Sequence, residues 1–499
     1  MNTTAPTSPA LLGIDLGTSS VKAVVMDLTG ALLAQASADY PVSNPHVGWA
    51  ETDPELWWSA ITTAVRQAAA ASDARISGIG LSGQMHGVVP TDASGRPVRP
   101  AMLWADARAL DQLAVYRDLP AAVAARLANP LTPGMAGPLL AWLAIHERTS
   151  YRATRWALQP KDWVRGRLTG LFDSEPSDAS ATLLYDIPSD TWDLDVMMAL
   201  GLDPGMFPPL LPHAGDLAGD LLASAAAALG LHPGIPVAAG AADAAAAALG
   251  SGLTEPDQAQ LTIGSGAQIV LPATAAVLPS AGQPVTHLYR AATEKGWYEM
   301  AAVLNGGLTL NWVRRLLGAS WAELYDSAAV PARADDPIFL PHLNGERTPY
   351  MDTSLRGSWT GLDPRHDRVS LLRSALEGVA FTIRAALDSL PGVAGRVDHL
   401  RLAGGGSIAP AWRQLLADVL GYPLHAVQIP AASGRGAAML GARAAGYLDE
   451  PALLDLLTPD SRPVADPQDA GTAVSAERRE KFNQTLQALR HEKAGAPAR

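Results

Sequence analysis

Two short segments combine carboxylate, hydroxyl and glycine residues in a pattern that could handle phosphate. The first is Asp15-Leu16-Gly17-Thr18-Ser19-Ser20, set between the apolar run LLGI and the β-branched run VKAVVMD. Gly17 allows the backbone to approach a ligand closely. The successive amides and the Thr18 and Ser19 hydroxyls can donate to phosphate oxygens. Asp15, at the end of the first run, could hold a hydrated Mg²⁺, an ion satisfied by one or two carboxylates plus water. The segment could equally be an ordinary hairpin with Asp15 capping its own turn. The second segment, Thr262-Ile263-Gly264-Ser265-Gly266, repeats the pattern and weighs against that plainer reading. Two phosphate-sized turns about half a chain apart point to a nucleotide held between two domains.

Three further positions carry chemistry of their own. Gly404-Gly405-Gly406-Ser407 lies between a strand-like run, HLRLA, and a helical one, so a ligand group could sit at the helix N-terminus. Such turns also serve packing alone. Gly83-Gln84-Met85-His86-Gly87 follows the glycine-rich strand RISGIGLSG, and its glycines favour a ligand-facing loop over a structural histidine. Asp243 is the one charged residue in a long stretch of small side chains, AAGAADAAAAALG. It could be the N-cap of the alanine run or a base held ionised by the helix N-terminus.

These residues need a scaffold, and the sequence supplies one. The two apolar runs around Gly17 read as a hairpin, and ALLAQASADYPV offers a third strand. Asp53-Pro54-Glu55 opens a helix reaching about Ala71, with Asp as N-cap and Pro at the first position. Residues 107–235 read as mostly helical and proline-rich, and KDWVRGRLTG reads as a helix closed by Thr-Gly. IPVAAGAADAAAAALG runs from strand through a small-residue turn into a helix. QAQLTIGSGAQIVLPA then repeats the hairpin pattern of the N-terminus, which points to two similar domains. Leu372, Leu376, Val379, Ile383, Ala386 and Leu390 fall on one face of a later helix. The last 25 residues or so read as a charged helix with a frayed end.

Composition sets the outer bounds. With 499 residues the chain exceeds what one core usually serves, and 48% hydrophobic with 17% charged content is that of a compact protein. A net charge of −12 argues against nucleic acid or anionic membrane as the main partner. The absence of cysteine excludes disulfides, thiolate metal sites and a cysteine nucleophile. No run of about 18 apolar residues is present, and MNTTAPTSPA has neither the basic start nor the apolar core of a signal peptide, so a cytoplasmic location is expected. Neither a P-loop motif nor the protein-kinase set occurs.

Taken in order over about residues 10–450, the segments resemble the FGGY family of carbohydrate kinases. IDLGTSSVK resembles the family's first phosphate motif, and GQMHG takes the form characteristic of members acting on xylulose. GWAETDPELWW, KDWVRGRLTG, SDASATLLYD and FLPHLNGERTPYMD resemble further family blocks. AAGAADAAAAALG aligns with the turn bearing the catalytic aspartate, and LAGGGSIAPAWRQLLAD resembles the adenosine motif.

The resemblance implies an α/β fold of two ribonuclease-H-like (actin-like) domains with a cleft between them. Residues 1–9 would be a loose tail, 10–250 the sugar-binding domain, 251–450 the ATP-binding domain and 451–499 a helical extension. It implies transfer of phosphate from ATP with Mg²⁺ to a ketopentose, D-xylulose foremost. Asp243 would be the general base, and Met85, His86, Trp104 and Asp106 would line the sugar pocket. Gly17, Thr18, Ser19, Thr262, Gly264 and Ser265 would face the phosphates, Gly405, Gly406 and Ser407 the adenosine, and Asp15 the magnesium. A homodimer is also implied. Other readings are a kinase for another ketose, polyol or sugar acid, and an actin-like nucleotide-dependent binding protein with no sugar acceptor. Departures from the family pattern are Ala105 and Ala244, each replacing an asparagine, together with Leu139 and Ser370. Loss of polar groups near a sugar bears on which sugar is accepted.

Overall fold

The computed structural model describes residues 8–278, 284–456 and 461–495. The expected tail thus falls almost wholly outside the described residues, and the first strand already begins at Pro9. Two seven-stranded sheets form the frame. In the first, Leu32–Asp39, Ser20–Asp27 and Pro9–Leu16 make an antiparallel meander. Arg75–Gly83 runs parallel to Pro9–Leu16, Pro236–Ala238 parallel to that, and Leu217–Asp220 closes the edge antiparallel. Ala241–Ala242 adds a short parallel pairing to the end of Arg75–Gly83.

The second sheet repeats this order. Trp297–Val303, Ala267–Ala273 and Ala259–Ile263 form the meander, with His287–Arg290 added at its outer edge. Leu400–Ala403 and Leu424–Val427 continue in parallel, and Ser461–Ala465 closes antiparallel. Both expected hairpins are therefore real, and they occupy equivalent places in equivalent sheets.

The helices form where their end signals stand. Pro54–Ser72 has Asp53 as N-cap, accepting from the Glu55 amide, and it packs Trp57, Ile61, Ala64, Val65 and Ala68 on the first sheet. Arg368–Asp388 buries Leu372, Leu376, Val379, Ile383 and Ala386 against the second sheet, while Leu390 is buried just beyond its end. Its other face is also buried, because the C-terminal helix Asp469–Gly495 brings the Arg478 guanidinium 2.8 Å from Glu377 Oε2. The region 107–235 is less helical than expected. Its longest helices are Ala136–His146 and Pro160–Thr169, of 11 and 10 residues, and short strands lie among them. Its prolines and its separate apolar cluster around Tyr116, Leu140 and Leu184 keep the elements short.

One helix crosses between the halves. Ala432–Ala444 follows a strand of the second sheet but lies across the face of the first. The approach is so close that a Cβ on Gly80 would fall 1.7 Å from the Ala437 carbonyl oxygen, and one on Gly13 1.9 Å from that of Gly434. The same helix crosses Asp243–Gly250, where a Cβ on Gly436 would meet the Ala246 carbonyl oxygen at 2.0 Å. Gly13, Gly78 and Gly80 are thus explained by backbone meeting backbone. No helix among the described residues is long and apolar enough to cross a membrane.

Candidate active site

The functional side chains stand at the ends of parallel strands. Asp15 is level with Ser82 on the neighbouring strand, and Ala241 pairs with Ser82 from the other side. Three chain segments therefore end side by side, bringing Asp15, the Gln84-Met85-His86 loop and Asp243 to one edge of the sheet. Ser82 Oγ donates to Asp15 Oδ1 at 3.0 Å. The Gly17 carbonyl accepts from Tyr40 Oη and from Gln84 Nε2, which fixes the turn. Among the described residues, the Thr18 and Ser19 amides find no protein acceptor. That is the arrangement an anion-binding turn requires.

A cavity of about 180 Å³ opens between the two sheets. Thr18, Met85, His86, Trp104 and Asp243 line it from the first half, with Thr132 and Ala244. Gln268, His287 and Arg347 complete it from the second. It lies below the roughly 300–1,000 Å³ of drug-sized sites, so it suits a small polyol rather than a nucleotide. A second cavity of about 390 Å³ shares the walls Trp104, Gln268, Ala302 and Arg347 and continues over Thr262, Gly264 and Ser265.

Electrostatics separate the groups by role. Burial pushes the Asp243 carboxyl up to about 7, with the nearby charge of Asp15 adding to the effect. The helix N-terminus therefore does not dominate, contrary to one sequence expectation. Nor is Asp243 the cap: Ala242 holds that position, and among the described residues the Asp243 side chain accepts only from the adjacent Ala244 amide at 2.7 Å. Burial raises Asp15 as well. It also pushes His86 down to about 4, assisted by the Arg347 charge, so this imidazole is neutral. His86 Nδ1–H donates to the Ala181 carbonyl at 2.8 Å, leaving Nε2 as an acceptor. Its φ of 76° is uncommon for a non-glycine residue and orients the ring. Tyr289 Oη lies 2.6 Å from His287 Nδ1, which engages that nitrogen and leaves His287 Nε2 for a ligand.

Several expected residues do other work. Asp106 is 1% exposed and does not line the cavity. Its carboxylate accepts from the Ala50 amide at 2.7 Å and from Arg108 Nη2 at 2.7 Å, and that guanidinium lies 3.6 Å over the Trp49 ring. Asp106 thus builds the wall behind Trp104, whose indole donates to Thr18 Oγ1 at 2.9 Å. Ala105 is exposed and away from the cavity, whereas Ala244 lines it. Gly404–Ser407 follows a strand level with Thr262, beside the second hairpin. Gly405 faces open space, while Gly406 packs on Ile263 and the Ser407 hydroxyl donates to the Gly404 carbonyl.

Sequence reading singled out neither Arg347, Gln268, His287 and Thr132 nor the network behind Asp243. The Ala242 amide donates to Ser177 Oγ at 2.9 Å, and Ser177 Oγ donates to Glu175 Oε1 at 2.7 Å. Lys161, wholly buried, lies 3.4 Å from Glu175 and 2.7 Å from Asp162. Arg347 and Ser177 do lie in quoted blocks, but only the fold brings them to Asp243.

The donor set fits a magnesium nucleotide. Asp15 and Asp243 share the cleft edge, and no cluster of three or more His, Cys, Asp or Glu ligands exists among the described residues. Mg²⁺ needs no such cage, since it keeps several waters and takes one or two carboxylates plus phosphates.

Comparison with known proteins agrees. The N-terminal domain model of the FGGY family of carbohydrate kinases matches residues 10–250, and its C-terminal domain model matches 261–445. The chain is 34% identical to the xylulose kinase of Klebsiella pneumoniae over 83% of its own length and 85% of that protein's. The solved xylulose kinase of Rhodospirillum rubrum superposes with a TM-score of 0.88 at 28% identity, covering 96% of this chain and 99% of that one. Glycerol kinase of Plasmodium falciparum with ADP, at 19% identity and a TM-score of 0.86 over 99% and 100% of the two chains, shares the fold alone. Both family domains over most of the chain, with a curated relative above 30% identity, place it plainly: it belongs to the FGGY family of carbohydrate kinases, enzymes that use ATP with Mg²⁺.

Proposed function

We propose that the protein phosphorylates a ketopentose, D-xylulose foremost, at its terminal hydroxyl, with Asp243 as general base. The observation that carries the reading is the Asp243 carboxyl, with a value of about 7, in a sugar-sized cavity that adjoins the larger one over Gly264. A base near the working pH combines a useful ionised fraction with real affinity for the proton. His86 Nε2 supplies an acceptor and His287 Nε2 a second polar group, a pair suited to sugar hydroxyls. The first sheet holds the sugar and the second most of the nucleotide, over residues 10–250 and 251–450.

The acceptor hydroxyl faces the γ-phosphorus in line, and its proton passes to Asp243 as the new bond forms. Amides of the Gly17 and Gly264 turns take up charge spreading over the transferred group. Asp15 would hold the metal through water, and Mg²⁺ supplies charge neutralisation of the phosphates when bound. The xylulose assignment is supported by GQMHG and by the activity of the curated relatives. ADP release measured over xylulose, ribulose, glycerol and sugar acids tests it. Highest kcat/KM with xylulose is expected, and a preference for any other sugar overturns the substrate while leaving the kinase.

A further inference from the structure

The cleft gathers negative charge from Asp15 and Asp243, and a nucleoside triphosphate brings more. Among the described residues that line the two cavities, one permanent cation answers it. Arg347 sits in the loop after the strand Ile338–Leu340 and lines both cavities. Among the described residues its guanidinium has no carboxylate partner and no hydrogen bond within the chain. Against it stand the Trp104 ring with its centroid 5.2 Å away, His86 and His287 held unprotonated, and the Tyr289 hydroxyl, and burial lowers its basicity in spite of the Glu346 charge nearby. The adjacent Glu346 is occupied elsewhere, by the Leu304 amide, by Asn305 Nδ2 at 2.9 Å and by the Arg347 amide at 2.9 Å.

Other deep arginines have acceptors against them, and Arg401, which lacks a carboxylate among the described residues, donates to the Ser251 and Gly252 carbonyls. Arg108, Arg165 and Arg478 all have carboxylates against them. A guanidinium enclosed with neither a paired anion nor a carbonyl acceptor is costly, so a fold that keeps one at a ligand cleft keeps it for an anion that arrives.

We propose that Arg347 is a catalytic residue whose guanidinium binds non-bridging oxygens of the γ-phosphoryl group as it passes from ATP to the sugar. This rests on the cleft holding sugar and ATP as argued above. In the step, the sugar oxygen bonds to the γ-phosphorus and its proton goes to the Asp243 carboxylate. The bond from that phosphorus to the β–γ bridging oxygen breaks, and ADP leaves with the electron pair. Charge lies on three equatorial oxygens in between, and the planar fork of arginine can take two of them at once. The wall common to both cavities is where that group must pass. Lysine, a single-point donor, should replace it poorly.

The test compares wild type, Arg347→Gln, Arg347→Lys and Arg347→Ala as purified full chains. Arg347→Gln should lose about 10²–10³-fold in kcat, the effect of removing one charge-stabilising donor. Arg347→Lys should fall between it and wild type. The KM for sugar and the affinity for ADP should hardly move. ADP with Mg²⁺, sugar and aluminium fluoride, a planar phosphoryl mimic, should bind tightly to wild type and weakly to the Arg347 variants. Guanidinium ion should restore part of the activity of Arg347→Ala. A raised sugar KM with kcat kept would make Arg347 a sugar ligand and overturn the proposal. A lower Tm with normal kcat and normal fluoride trapping would make it a strut on Trp104, with the same result. Should Arg347→Gln not fold, trapping by Arg347→Lys as tight as by wild type also overturns it. Wild type inactive on every sugar would instead sink the reading of the cleft itself.

Discussion

In each half of the molecule an antiparallel meander is followed by two parallel strands and an antiparallel edge strand, and each half bends its first hairpin round a glycine turn. The strand ends nevertheless carry different chemistry. In the first half they bear Asp15, His86 and Asp243; at the matching ends of the second stand Thr262, Gly404–Gly406 and a helix that begins at Ala432. At its strand ends the first half offers side chains that titrate or discriminate and the second mainly backbone, although Gln268, His287 and Arg347 reach the cavity from elsewhere in the second. Recognising one small sugar needs directional groups of particular type, whereas phosphates are held by amides that any sequence has, provided no Cβ blocks them. On the proposed function, the division of labour follows from what each ligand demands of the same scaffold.

The comparison breaks most sharply at Asp243. Asp243→Asn keeps the shape but cannot accept a proton, and kcat should fall by at least about 10²–10⁴-fold with ADP affinity unchanged. In wild type, kcat/KM should rise about tenfold per pH unit toward about 7 and then level, since the base must be ionised. Sugar-dependent ADP release by Asp243→Asn close to wild type would remove the first half's claim to the chemistry.

Stability gives the next effect. The folded-state value of Asp243 lies above that of free aspartate, so its contribution to stability is present at acid pH and lost as pH rises to about 7. Asp243→Asn should therefore melt above wild type near about pH 8 and nearly alike near about pH 4. Thermal melts across that range decide it, and identical curves would show that the carboxyl is not strained by burial.

The backbone half is tested at Gly264 and Gly405, both of which face open space. Gly264→Val or Gly405→Val should leave Tm nearly unchanged but weaken ADP binding about tenfold or more, the equivalent of a hydrogen bond to a charged group at roughly 1.5–3 kcal/mol. Calorimetric titration with ADP measures it. Unchanged affinity in both variants would mean that the second half does not hold nucleotide through these turns.

The smallest effect should come from Ser177→Ala, which strands the Ala242 amide and one partner of Glu175. A loss of about 1–3 kcal/mol in stability is expected. A modest fall in kcat should accompany it while sugar KM stays, because the turn that aims Asp243 loosens. An unaltered Tm and kcat would leave the network without a positioning role.

The sequence by itself determined the hairpins around Gly17 and Gly264, the cap at Asp53, the apolar face of Arg368–Asp388 and the small-residue turn at Asp243. All of these depend on neighbours within a few residues, through turn geometry, capping and periodicity. What it could not determine is how far apart in the chain two contacts lie and which way a polar side chain turns. Asp106 looks like a sugar ligand in the sequence, but Arg108 and the Ala50 amide draw its carboxylate into the wall. Asp243 looks like a helix cap, but enclosure beside Asp15 makes it a raised carboxyl. Arg347 and His287 enter the site from the second half, more than a hundred residues from the loop that bears His86. Only the tertiary structure decides these, because burial and charge proximity are properties of what packs around a group.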